Sequence, residues 1–195
     1  MMDRTERQHR SINTQFNTRE DESGKKYISG YFSVFGSLYE FWPGATESID
    51  EHAFDDALDD DIRCLTDHVT HLVLGRTKAG TLTLSIDNHG LFGEVEINEN
   101  DQDAVNTYER VKRGDVSQCS FGFDILEEDY EEKNGEVHWT VKKVKLYEVS
   151  VVTFPAYEDT GVVARKRDYE NIQKRKKERW RAGALQKLKG VKNGD

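Results

Sequence analysis

The sequence predicts a mostly-β or α+β fold, an antiparallel barrel or sandwich with a few helices around it. Three observations carry this. Short stretches alternate apolar and polar residues at strand period, turn-forming residues lie between them, and only two internal stretches have helical character. Residues 27–38 are rich in aromatic and β-branched side chains and are interrupted by Gly30 and Gly36, as in a bent or bulged strand. A short acidic helix is expected over 50–58 and a short strand over 62–65. Residues 81–86 place Leu82, Leu84 and Ile86 on one face, and 91–97 alternate likewise. The intervening Asp87-Asn88-His89-Gly90 makes the pair a hairpin. Residues 101–113 carry Ala104, Val105, Tyr108 and Val111 on one helical face, with Gly114 at the C-terminal cap. Residues 116–125 turn Cys119, Phe121, Phe123 and Ile125 one way and Gln118, Ser120, Gly122 and Asp124 the other. Asn134-Gly135 then leads into a strand over 137–145. Residues 146–154 are so continuously apolar that they read as a further strand buried on both faces, ended by Pro155.

Charge divides the chain. It has 195 residues, 28 Lys+Arg and 37 Asp+Glu, for a net charge of −9. Residues 1–164 carry 16 basic and 33 acidic side chains, net −17, whereas 165–195 carry 12 and 4, net +8. Only 35% of the residues are apolar, below the ~45–50% usual for a globular domain, glycine included. The deficit concentrates at the ends. Residues 1–26 are polar and aperiodic and read as disordered. Residues 27–164 make the folded unit. Residues 165–195 form a basic tail, helical from about 168 to 189, with Trp180, Ala184 and Leu188 at i+4 spacing. Such a tail is either a solvated extension or an arm that docks on an acidic partner. No apolar run approaches the ~20 residues of a membrane helix, and the N-terminus has no signal-peptide core. Cys64 and Cys119 make neither a disulfide framework nor a zinc spacing. An intracellular, reducing setting is expected, with no membrane and no structural metal. The −17 core disfavours a large nucleic-acid face.

Three residues stand out chemically. Ser120 lies on the polar side of an otherwise aromatic strand, and Gly122, two positions on, removes a side chain from that side, leaving room for a bound backbone or ligand. Among the histidines, His9 belongs to the polar start, His89 to a turn, His138 to a charged hairpin, and His52 to the acidic helix. His68 and His71 follow a strand, a common place for a catalytic base. Asp67, His68 and His71 could hint at a metal, but lack a third ligand at sensible spacing. Glu148 sits inside the most apolar strand, and a carboxylate there needs a partner. That partner is either a cation such as Arg76 or Arg63, or a histidine that the carboxylate orients. Cys119 is a rival nucleophile, but alternation turns it to the aromatic face.

Several blocks, in order over about residues 30–163, resemble the tailed-phage prohead (capsid maturation) serine protease family. They are Gly30-Tyr31-Phe32-Ser33-Val34-Phe35-Gly36, Thr66-Asp67-His68, Leu72-Val73-Leu74-Gly75-Arg76-Thr77, and Gly80-Thr81-Leu82. Arg113-Gly114-Asp115-Val116-Ser117, Ser120-Phe121-Gly122-Phe123, and the run from Leu146 through Glu148 to Phe154-Pro155-Ala156-Tyr157 complete the set. The family often has Asn before the histidine and Met before the serine, where this chain has Asp67 and Cys119. The resemblance implies Ser120 as nucleophile, His68 as general base and Glu148 as third member, with Asp67 the fallback. It implies no cofactor, and a helix-surrounded β-barrel like that of the herpesvirus assembly proteases. The substrates would be the major capsid protein precursor or scaffolding protein, cut inside the procapsid assembling in the host cytoplasm. Self-cleavage and self-association would accompany this. The backbone near Ser120, or Arg76, would serve the oxyanion. The alternative is a non-catalytic assembly or scaffolding protein on the same fold, docking through its basic tail.

Overall fold

A computed structural model describes residues 7–154 and 159–191. Among these residues there are eleven strands and two α-helices. In chain order the strands are β1 (Gln8–Asn13), β2 (Asn17–Glu20), β3 (Lys26–Val34), β4 (Tyr39–Trp42), β5 (Ala45–Ile49), β6 (Arg63–Thr66), β7 (Val73–Arg76), β8 (Leu82–Ile86), β9 (Gly90–Glu96), β10 (Gln118–Lys133) and β11 (Glu136–Val152). The helices are α1 (Gln102–Arg113) and α2 (Asp159–Val191).

The turns follow from their residues. Asn134 and Gly135 both have positive φ, 56° and 86°, which joins β10 to β11 in a tight hairpin. Asp87 accepts hydrogen bonds from the backbone N–H groups of His89 and Gly90 and so closes the β8–β9 hairpin. Helix α1 begins at Asp101, whose carboxylate caps the N–H groups of Asp103 and Ala104, and ends at Gly114 in the left-handed region.

The strands form two sheets. The larger has seven strands in the order β1-β10-β11-β5-β4, with β6 also beside β11 and β7 beside β6. The smaller runs β2-β3-β9-β8. Buried side chains from both sheets make one core with α1: Ile28, Phe32 and Val95 from the smaller, Cys119, Phe121, Phe123 and Val149 from the larger, and Tyr108 from the helix. The apolar side of β10 faces this core and the other side is left for polar groups.

The structure corrects five expectations. No strand pairing among the described residues joins the two sheets, so the barrel does not close. Nor is the larger sheet purely antiparallel, because β5 and β6 both run parallel to β11. Residues 137–145 and 146–154 are not two strands; Glu136–Val152 is one long strand that spans both partners. Residues 50–58 form successive turns rather than a helix, with N–H groups reaching back three residues (Ala53 to Asp50, Ala57 to Phe54) while Ala53, Phe54 and Ala57 are buried. Residues 8–20, read as disordered, form β1 and β2. Strand β1 pairs along β10 from Gln8 opposite Phe123 to Asn13 opposite Gln118. Pro155 lies outside the described residues.

The chain divides into two compact units, Met1–Glu158 and Asp159–Asp195. The second contains α2, 33 residues long and so longer than the helical stretch expected from composition. Trp180 and Leu185 on it are exposed, and the side chain of Leu188 is outside the described set. No described helix is long and apolar enough to cross a membrane.

Candidate active site

The polar face of β10 supplies the site. Ser120 lies opposite Ser11 of β1 and opposite Ser150 of β11, and Gly122 lies opposite His9 and Glu148. On the far side of β11, Glu148 pairs with Arg63 and Ser150 with Leu65 of β6. Two adjacent cross-strand rows therefore bring Ser120 and Glu148 to one face. Diagonal neighbours of this kind lie ~7–8 Å apart, within reach of a group placed between them.

His68 comes from the turn that leaves β6. The Asp67 N–H donates to Val151 O at 2.9 Å, and Asp67 and His68 have φ of 50° and 60°. The left-handed region is costly for residues other than glycine, and such strain gathers at functional sites. Asp67 secures the turn by accepting hydrogen bonds from Thr153 N (2.6 Å) and Thr153 Oγ1 (3.0 Å). The fallback third member is thus bound to the end of β11.

Glu148 holds the histidine. Its Oε1 is 2.7 Å from His68 Nδ1, and its Oε2 accepts a hydrogen bond from Ser150 Oγ at 2.6 Å. Burial alone would raise the pKa of this carboxylate. The hydrogen bonds from His68 and Ser150, together with the nearby His9 ring, overcome that and hold it at about 2. An ionised carboxylate only accepts, so the His68 proton sits on Nδ1 and the Nε2 lone pair is free. His68 Nε2, Ser120 Oγ and His9 Nδ1 are all buried without a hydrogen-bond partner.

The cation partners considered for Glu148 are engaged elsewhere. Arg76 makes two 2.6 Å hydrogen bonds to Asp61, and Arg63 lies 3.2 Å from the same carboxylate. Cys119 is buried on the aromatic side, its thiol donating to Tyr31 O at 3.0 Å, and burial pushes its pKa up, the reverse of an activated nucleophile. His71 is exposed, and His138 hydrogen-bonds to Thr46 and Ser48.

One residue at the site was missed. His9, set aside with the polar N-terminus, places Nδ1 3.4 Å from Glu148 Oε1 and its ring edge-on to His68, centroids 4.3 Å apart. Gly122 explains how three side chains fit there. A Cβ on it would stand 2.4 Å from Glu148 Oε1 and 3.1 Å from His9 Cε1. The space left by Gly122 is thus filled by the chain's own side chains rather than by a ligand. Among the described residues, His9, His68 and Glu148 are also the one set of His, Cys, Asp and Glu close enough to share a metal ion, with ligand atoms within 4.8 Å of each other.

Comparison with known proteins bears on the fold and the family. No curated protein matches the chain. A solved structure, that of the bacteriophage T4 capsid assembly protease gp21, is similar over 75% of this chain and 96% of that one, with a TM-score of 0.50 at 10% identity. That likeness is one of fold. The family model described as caudovirus prohead serine protease matches residues 14–175, most of the chain. The chain belongs to the caudovirus prohead serine protease family.

Proposed function

We propose that the chain is a serine endopeptidase that cleaves capsid or scaffold precursors inside the assembling prohead, with Ser120 as nucleophile, His68 as general base and Glu148 as the carboxylate that orients it. The observation that carries this reading is the 2.7 Å bond from His68 Nδ1 to an ionised Glu148, which leaves Nε2 free on the face that bears Ser120.

In the first half-reaction Ser120 Oγ attacks the scissile carbonyl carbon and its proton passes to His68 Nε2. The imidazolium is stabilised by Glu148, already anionic and desolvated, so the new charge pair forms where screening is weak. Collapse of the tetrahedral adduct transfers the proton to the leaving amine and leaves an acyl-Ser120. Water, deprotonated by the same nitrogen, then releases the acid. General-base assistance of this kind contributes about 10²–10⁴-fold. Catalytic hydrogen bonds often tighten only when substrate binds, consistent with Ser120 Oγ and His68 Nε2 each lacking a partner here.

The substrate assignment rests on the family and on the T4 neighbour, which is a capsid assembly protease. The basic segment 165–195 would dock the enzyme on an acidic scaffold or capsid surface. Co-expression with the capsid and scaffold proteins of the same phage tests the reading. Ser120→Ala should leave every precursor intact while the wild type shortens at least one. Continued cleavage by Ser120→Ala contradicts it.

A further inference from the structure

We propose that His9, on the N-terminal strand, is a positioning residue of the protease site, clamping the Glu148 carboxylate and the His68 ring in the arrangement that leaves His68 Nε2 free. This rests on the serine-protease reading above and deepens it. The family match begins at residue 14, so His9 lies upstream of everything that match covers.

His68 is fixed by its turn and by Glu148. Its backbone is in the left-handed region, its Nδ1 is held by Glu148, and its Nε2 has no partner. One hydrogen bond does not fix the plane of a ring. The edge-on contact with His9 at 4.3 Å limits the ring from one side, with the two rings inclined at 69°, and its aim then depends on how firmly Glu148 is held. His9 Nδ1 lies 3.4 Å from the same oxygen of Glu148 that His68 uses, a packing contact short of a hydrogen bond, while Ser150 holds the other oxygen. Three groups thereby surround the carboxylate: His9 from β1, Ser150 from β11 itself and His68 from the turn after β6. The groups that face His9 are His68 from that turn and Glu148 from β11; β10 contributes only the bare backbone of Gly122.

A residue can position a catalytic group only if it is itself held. Arg10, next in the chain, provides this. Its guanidinium makes two hydrogen bonds to the buried Glu47, at 2.5 and 3.0 Å, and a third at 2.8 Å to the carbonyl of His9 itself. It also lies over the rings of Phe41 and Phe123, 5.1 and 5.5 Å from their centroids. With six consecutive residues of β1 in register on β10, His9 is part of a rigid element, not a fraying end.

The test uses the full chain and the rate at which a fluorophosphonate probe labels Ser120, measured across pH, with Ser120→Ala as control. His9→Ala should slow labelling by about 10–100-fold, the scale on which a misplacement of about 1 Å acts. It should also shift the acid limb of the rate profile. His9→Asn, which keeps a nitrogen near the position of Nδ1, should recover most of the rate. His9→Phe keeps a ring against His68 but offers nothing to Glu148, and should remain slow; the Asn and Phe variants decide the matter if His9→Ala fails to fold. Wild-type rates and an unshifted profile in His9→Phe would overturn the proposal while leaving the protease reading intact. Labelling that persists in Ser120→Ala, or wild-type protein that does not label at all, would instead remove the reading on which it rests.

Discussion

The two ends of the chain look alike in composition and behave differently in the structure. Both are polar and highly charged, the first aperiodic and the second with no more than the thin stripe of Trp180, Ala184 and Leu188. At the C-terminal end the described residues form one long basic helix whose Trp180 is 74% exposed. At the N-terminal end the polarity is taken in. Gln8 and Arg10 are buried, Arg10 pairs with a fully buried Glu47, and His9 reaches the candidate active site. Low apolar content means disorder only when the polar groups have nothing to bond to. A strand that docks on a sheet edge meets its backbone needs by pairing, and its charges can be matched by partners far away in sequence.

The comparison can be broken or sharpened by substitution, beginning where the effect should be largest. Arg10→Ala leaves Glu47 buried and unpaired, which should cost about 3–5 kcal/mol and lower the melting temperature by roughly 10 °C. An unchanged melting curve would return β1 to the status of a loose end.

Acid should act next, through Glu148. Its folded-state pKa of about 2 is below the ordinary 4.5, so its ionised form stabilises the fold above pH 4.5. That contribution, on the order of 3 kcal/mol, is lost as pH falls from about 4.5 towards about 2. Urea unfolding of wild type and Glu148→Gln at several pH values isolates it: the gap between the two should narrow below pH 4.5.

Gly122→Ala should cost about 1–3 kcal/mol by overpacking and should slow labelling of Ser120, since the new methyl displaces Glu148 or His9. Trp180→Ala on α2 should change stability by no more than about 0.5 kcal/mol in either direction, as at other exposed positions away from special features. Thermal melting of the two variants side by side checks both.

Much of this was legible in the residues. Alternation in β10 separated Ser120 from Cys119, and Glu148 announced itself as a charge in an apolar strand. The hairpin turns and the Asp101 and Gly114 ends of α1 follow local chemistry that a sequence displays directly. What stayed hidden depends on pairing between distant segments. Nothing local says that β5 and β6 would run parallel to β11, or that the nine residues from 50 to 58 would settle as turns under the core. His9 was the costliest omission. A lone histidine in a polar stretch carries no signal until β1 is set in register against β10. One trace was available in Gly122: a gap opposite a buried carboxylate asks what fills it, and the answer was another part of the same chain.

The most direct test of the account is the site at which an active-site-directed fluorophosphonate attaches to the wild-type protein, located by peptide mass mapping. The arrangement of His68 and Glu148 beside β10 predicts a single adduct on Ser120. An adduct on any other residue would contradict it.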